Sequence, residues 1–340
     1  MARTAENTGD QIDIVYLWVD GADPQWQASR RQASKASHET LGRYGDVQGR
    51  YRDNGELRFN LRALERFFPQ HGHIFIITDG QTPQWLKPSA GLTLIDHRDL
   101  LPAAALPVFD SGHIESYLHH IPGLSERFFY LNDDVFFGAP VDTSFWFGLD
   151  GVAVFHDDLT VPDYDCLQPH EDPLVNASLL SQEWLSARDL AYRHASRIFT
   201  HSPRPMFKSV MLELEAAAPE LFSQVRSTVF RSWAAPPLIP DLVPRWMLET
   251  GRAILQQADS IYLCSGDEDA EDQFKQLAAC FGSLLFFCIN DTSDELEAYM
   301  PELQRIRINL ERLLPVPSRF ERTTLPGMPA ATCVTASLIS

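Results

Sequence analysis

Apolar runs recur along the chain, and each stops at an acid or an amide. Ile12-Asp13-Ile14-Val15-Tyr16-Leu17-Trp18-Val19 runs into Asp20-Gly21, Ile74-Phe75-Ile76-Ile77 into Thr78-Asp79-Gly80, and Leu92-Thr93-Leu94-Ile95 into Asp96. Leu284-Leu285-Phe286-Phe287-Cys288-Ile289 stops at Asn290-Asp291, and Tyr130-Leu131 meets Asn132-Asp133-Asp134 before Val135-Phe136-Phe137. Short apolar runs bounded by turn formers predict buried strands, and Gly151–Phe155 predicts another. Between strands the period becomes helical. Leu57, Leu61, Leu64 and Phe68 share one helical face that ends at Pro69, with Asp53 and Glu56 at capping-box spacing before it. Ile114, Leu118 and Ile121 predict a helix over 111–121 that places Glu115 and His119 on a neighbouring face, and helical patterns follow around 178–195 and 206–217. The polar stretch 25–49 predicts a helix and loop over the site.

Strands alternating with helices predict an α/β fold. Length allows one domain over 11–315, with a helical insertion over about 160–255 and a Pro-, Thr-, Ser- and Ala-rich tail at 316–340 that reads as disordered. The formal charge of −18 opposes a nucleic-acid partner, whose phosphates it would repel. No run approaches the roughly 18 apolar residues of a spanning helix, and Met1 to Asp10 lack a signal-peptide core, so a cytoplasmic protein is expected, with peripheral contact to membrane assembly machinery left open. The five cysteines, Cys166, Cys264, Cys280, Cys288 and Cys333, contain no C-x-x-C pair and are expected as reduced thiols.

The acids at the strand ends carry the chemistry. In open α/β sheets ligands bind outside the carboxyl ends of the strands, so five acidic tips point to one shared site. Asp133 and Asp134 cannot both stay ionised cheaply in a partly dry site, and a divalent cation held between them and a diphosphate relieves the repulsion. Arg58 and Arg62 stand four apart near a helix N-terminus, where two guanidiniums favour an anion. With Asp20 and Gly21 they are the candidates for donor binding. The prolines of Thr200-His201-Ser202-Pro203-Arg204-Pro205 stiffen a turn presenting His201 and an Arg.

The segments Asp13 to Pro24, Arg52-Asp53-Asn54-Gly55-Glu56-Leu57-Arg58, His113-Ile114-Glu115-Ser116 through Leu131-Asn132-Asp133-Asp134, His201-Ser202-Pro203-Arg204 and Cys288-Ile289-Asn290-Asp291 resemble the four ordered blocks of the Stealth family. The resemblance covers Ile12 to Ile306. It implies a glycosyltransferase A-like nucleotide-sugar-binding sheet and transfer of a sugar 1-phosphate from a UDP-sugar, by default UDP-N-acetylglucosamine, to a glycan hydroxyl with release of UMP in capsule polysaccharide synthesis. It places functional residues at Asp13, Arg62, Glu115, Asp133, Asp134, His201, Arg231 and Asn290. The expected mechanism holds Mg²⁺ or Mn²⁺ on Asp133 and Asp134, with Asn290 or Asp291 supporting, clamps phosphoryl oxygens with Arg62, and takes the acceptor proton with His201 or Glu115. An ordinary metal-dependent glycosyltransferase releasing UDP, a metal-dependent phosphohydrolase and a glycan-binding module are the competing readings.

Overall fold

A computed structural model describes residues 11–37, 41–43, 45–291 and 301–322. Its main sheet contains β1 (Ile12–Leu17), β2 (Ile74–Thr78), β3 (Leu92–Asp96) and β4 (Arg127–Asn132), parallel and in the order β3-β2-β1-β4. Ile14, Val15 and Tyr16 of β1 and Phe128, Phe129 and Leu131 of β4 are wholly buried, as central strands of a sheet covered on both faces must be. Four helices lie between these strands: α1 (Pro24–Ala36), α2 (Glu56–Phe67), α3 (His97–Leu100) and α4 (Ser111–Glu115). Leu57, Leu61 and Leu64 supply the fully buried face of α2, as their spacing predicts.

The run through Asp133-Asp134 is two strands rather than one. β4 ends at Asn132, and β5 (Val135–Phe137) leaves for a second sheet. Asn60 fixes the break, donating from Nδ2 to the carbonyls of Asp133 (3.0 Å) and Val135 (2.6 Å) while its Oδ1 accepts from the Tyr16 hydroxyl at 2.9 Å. After α5 (Thr143–Trp146), β6 (Phe147–Gly148) and β7 (Gly151–Thr160) comes the segment expected as a helical insertion. It does hold α6 (Pro173–Arg188), α7 (Lys208–Ala217), α8 (Pro219–Val225) and α9 (Leu242–Glu249), but also β8 (Arg197–Phe199) and β9 (Arg204–Phe207). β9 joins the main sheet antiparallel to β4, with Arg204 opposite Tyr130. Its first residues therefore lie at the C-terminal end of β4, and the His201 turn comes with them. The chain continues with β10 (Ala253–Gln256), β11 (Ser260–Cys264), α10 (Ala270–Cys280), β12 (Phe286–Asn290) and α11 (Pro301–Leu313). β12 pairs with both β11 and β5, which brings its Asn290-Asp291 tip beside Asp134.

Three expectations are corrected. The helix over 111–121 stops at Glu115, because the Ser116 hydroxyl donates to the His113 carbonyl and the chain tightens to a 3₁₀ turn at Leu118–His120. Glu115 and His119 consequently part company, His119 going to Glu215 at 2.5 Å. The capping box does not form. Gly55, at φ 96°, is the N-cap of α2, while the Asp53 carboxylate accepts from Gly55 N and the Glu56 carboxylate from Asn54 N. Part of the expected disordered tail is anchored: Ser318, Phe320 and Glu321 are buried, the Phe320 carbonyl accepts from Lys87 N at 2.7 Å, and Arg322 N donates to Trp85 O at 2.9 Å. Residues 323–340, Cys333 and Met1 to Asp10 lie outside the described residues. Cys166, Cys264, Cys280 and Cys288 are free thiols, and no described helix is long and apolar enough to cross a membrane.

Candidate active site

A cavity of about 290 Å³ opens at the carboxyl ends of β1, β2 and β4, roofed by the turn before β9 and by the tips of β11 and β12. Glu115, Asp133, Asp134, His201, Arg231 and Asn290 all line it. The topology explains the convergence. Parallel strands put their tips at one edge, and the antiparallel β9 and β12 deliver the loop before one and the end of the other to that edge.

One side of the cavity is acidic. Burial and the neighbouring Asp134 charge raise Asp133 well above the usual carboxylate range. Burial, Asp133 and Asp53 do the same to Glu56, and burial raises Asp53. Asp134 Oδ1 is buried without a hydrogen bond, and His201 Nε2 stands 3.5 Å from it. Crowded carboxylates with an unsatisfied oxygen are the donor set a hard divalent cation takes, so the residues fit Mg²⁺ or Mn²⁺. Asn290 completes the set more readily than Asp291, whose Oδ2 is engaged by Arg52 at 2.6 Å.

A hydrogen-bonded chain crosses the floor. The Tyr130 hydroxyl lies 2.9 Å from Glu115 Oε1 and 2.8 Å from Asn132 Oδ1, and Asn132 Nδ2 lies 3.1 Å from His201 Nε2. A phenol has one proton, so it can serve only one of its two acceptors at a time. When Glu115 is protonated it donates to the Tyr130 oxygen and the phenol donates to Asn132. Burial favours that neutral form and pushes Glu115 up, against the pull of the Tyr130 hydroxyl, Arg231 and Arg204. Glu115 and His201, alternative proton acceptors in the sequence, are thus two ends of one network.

Basic residues line the same cavity. Arg43, Arg50, Arg52, Arg204 and Arg231 all line the cavity. Burial and the Arg231 charge lower Arg50 to about 10, and both Arg50 Nε and Arg231 Nε are buried without partners. Arg231 is steadied by Ser111 Oγ at 2.9 Å. Two neighbouring guanidiniums whose Nε–H groups are buried without partners are a receptacle for an anion. Sequence reasoning gave no site role to Arg50, Tyr130 or Asn132 and cast Glu56 only as a helix cap. Tyr130, Asn132 and Glu56 lie inside segments already singled out, and Arg50 stands two residues before one.

Asp13, Arg58, Arg62, Asp20 and Gly21 do not line the cavity. Asp13 starts β1 at the far edge of the sheet, roughly 13 Å of strand from the tip. Its carboxylate accepts from His73 N (2.7 Å) and Ser125 N (2.8 Å), tying together the entries to β2 and β4. Arg62 is buried against the C-terminal segment, with Nε and Nη2 on Glu321 (2.7 and 2.9 Å) and Nη1 on the Leu314 carbonyl (2.7 Å). Arg58 meets the same Glu321 at 2.5 Å. The phosphoryl clamp expected of Arg62 and the donor contact expected of Arg58 are therefore corrected to a lock on the chain end. Asp20 and Gly21 lie outside the cavity lining. A Cβ on Gly21 would lie 2.1 Å from the Tyr51 carbonyl, so glycine lets the Arg50-Tyr51-Arg52 segment close on β1.

Stealth conserved region 1 matches residues 10–38, and conserved region 2 matches 50–155. A capsular polysaccharide phosphotransferase (fcs1) of Haemophilus influenzae is 31% identical over 291 residues, 84% of this chain and 80% of that protein. The chain belongs to the Stealth family. An exopolysaccharide phosphotransferase (CpsY) of Mycobacterium leprae is 34% identical over 92% of the chain, which spans 57% of that protein's length. A galactosyltransferase crystal structure, LgtC with donor and acceptor sugar analogs, covers 90% of this Stealth chain and 98% of its own at 9% identity and a TM-score of 0.42.

Proposed function

We propose that the chain transfers a sugar 1-phosphate, N-acetylglucosamine 1-phosphate by default, from a UDP-sugar to a glycan hydroxyl, forming a phosphodiester and releasing UMP. The observation that carries the reading is one cavity lined both by the acids Asp133 and Asp134 and by the guanidiniums of Arg50 and Arg231, in a family whose named members include polysaccharide phosphotransferases. A diphosphate with its cation needs both kinds of group. Asp133, Asp134 and Asn290 hold Mg²⁺ or Mn²⁺, which when bound neutralises diphosphate oxygen charge and improves the leaving nucleotide.

The chain's own residues do the rest. Arg231 and Arg50 orient the phosphoryl oxygens through their buried, unbonded Nε–H groups, Arg231 being held in place by Ser111. His201, the more exposed end of the hydrogen-bonded chain, takes the acceptor proton. Glu115 holds His201 in place through Tyr130 and Asn132. Attack falls on the sugar-bearing phosphorus, so the sugar C1–O bond stays intact. The family's work on capsule and exopolysaccharide is compatible with peripheral contact between this chain and membrane assembly machinery.

Incubation with UDP-sugars, Mg²⁺ or Mn²⁺ and short glycan acceptors tests the reading through the nucleotide released. UMP together with a glycan phosphodiester is expected, and both disappear in Asp134→Asn. UDP release would instead mark a glycosyltransferase, and phosphate release without acceptor a hydrolase.

A further inference from the structure

We infer that Asp134, His201 and Cys288 form a binding site for a borderline-soft divalent cation of the zinc class, at which zinc competes with the hard cation for Asp134. One carboxylate oxygen, one imidazole nitrogen and one sulfur from these residues all lie within 4.8 Å of one another. His201 Nε2 stands 3.5 Å from Asp134 Oδ1, and Cys288 Sγ stands 3.4 Å from Asp134 Oδ2. Tetrahedral zinc, with bonds of 2.0–2.3 Å, sets neighbouring ligand atoms about 3.4–3.6 Å apart. Each of the two contacts matches that spacing, one to each Asp134 oxygen, and one oxygen, the imidazole nitrogen and the sulfur lie within 4.8 Å, so small side-chain rotations would close a zinc shell.

The donors are also of the right kind. A mixed sulfur, nitrogen and oxygen set selects zinc or cobalt over magnesium, which wants oxygen alone. Cys288 is a buried residue of β12, on a strand fixed on both sides by β11 and β5, so its sulfur is held rather than recruited. Asp134 Oδ1, buried and without a hydrogen bond, is independently free to ligate a cation. Three protein ligands leave the fourth position open to solvent. On binding, the Cys288 S–H bond breaks, the sulfur–metal bond forms, and one proton leaves to solvent for each ion taken up.

A second cluster, His119, His120 and Glu215, has comparable spacing, but its carboxylate is already paired with the Arg226 guanidinium, which opposes a divalent ion there. At Asp134 no described guanidinium is bonded to the carboxylate. That zinc should stop transfer rests on the function proposed above; that zinc binds does not.

The test uses the full chain and Co²⁺ as a spectroscopic probe for zinc. One equivalent should produce tetrahedral ligand-field bands and a sulfur-to-cobalt charge-transfer band. Cys288→Ser should abolish the charge-transfer band and weaken Zn²⁺, measured against a competing chelator, by at least about tenfold, the lower end of what loss of even an outer-shell partner costs. Because Cys288 is buried, His201→Ala at the exposed side provides a second variant, which should lose the tetrahedral bands at an unchanged far-UV spectrum. A charge-transfer band that survives Cys288→Ser, or Zn²⁺ affinity unmoved by both substitutions, would overturn the site. Zinc that binds through Cys288 yet leaves Mg²⁺-supported transfer untouched would overturn its competition for Asp134, and with it the proposed role of that carboxylate, while the zinc site itself stands.

Discussion

Replacing Arg62 separates a structural guanidinium from a catalytic one. Arg62 and Glu321 are both nearly inaccessible, at 2% and 1% side-chain exposure, and are joined by two short contacts. Arg62→Met keeps much of the aliphatic length over Phe59 but leaves Glu321 a buried carboxylate facing only Arg58 and Ser318 N. Removing one partner of such a pair costs about 3–5 kcal/mol. The remaining Arg58 contact places this case near about 3 kcal/mol. At about 2–4 °C per kcal/mol for a chain of this size class, the melting temperature should fall by about 6–12 °C. Urea titration measures the loss, and the double variant Arg62→Met/Glu321→Leu should recover most of it by removing the stranded charge. Below the melting transition, the turnover per folded molecule should stay within a few-fold. Unchanged stability with turnover lost would refute the reasoning and return Arg62 to the substrate.

His201→Ala should lower turnover by about 10²–10⁴-fold if the imidazole takes the acceptor proton, read from initial rates at saturating donor. Gly21→Ala drives a Cβ into the Tyr51 carbonyl, a backbone atom that cannot step aside, and should cost about 1–3 kcal/mol of stability in denaturant titration while raising the KM for donor through the displaced Arg50. The acids also set a pH dependence. Glu56 and Asp133 titrate above their ordinary values of 4.5 and 3.8 in the folded state, so the native protein binds more protons than the unfolded one in that window and loses stability as pH rises through it. A divalent cation replaces those protons. Its gain in melting temperature should therefore be larger near about pH 8 than near about pH 6, and a gain independent of pH would contradict the assignment.

Strand positions were legible because burial on both faces demands unbroken apolar runs, and all five strand-tip segments proved to be strands. The chemistry was legible in part: of the five acidic tips, those at Asp133-Asp134 and Asn290-Asp291 line the cavity, whereas Asp20, Asp79 and Asp96 do not. What failed was anything decided by a distant partner. Arg58 and Arg62 look like an anion clamp until Glu321, over 250 positions away, takes both. Asp13 carries no mark in the sequence that it faces the entries to its neighbouring strands rather than their exits. The helix over 111–121 kept its apolar stripe but was cut by a single serine hydroxyl. Arg50 directly follows the polar stretch 25–49 and carried no signal of its own, and only the fold sets it against Arg231.

The fate of the donor's β-phosphorus tests the central claim most directly. With UDP-sugar labelled at that phosphorus, Mg²⁺ and a glycan acceptor, the label should pass to the glycan as a phosphodiester, leaving unlabelled UMP. Label retained in UDP beside an unphosphorylated, sugar-extended glycan would show attack at carbon and contradict the account.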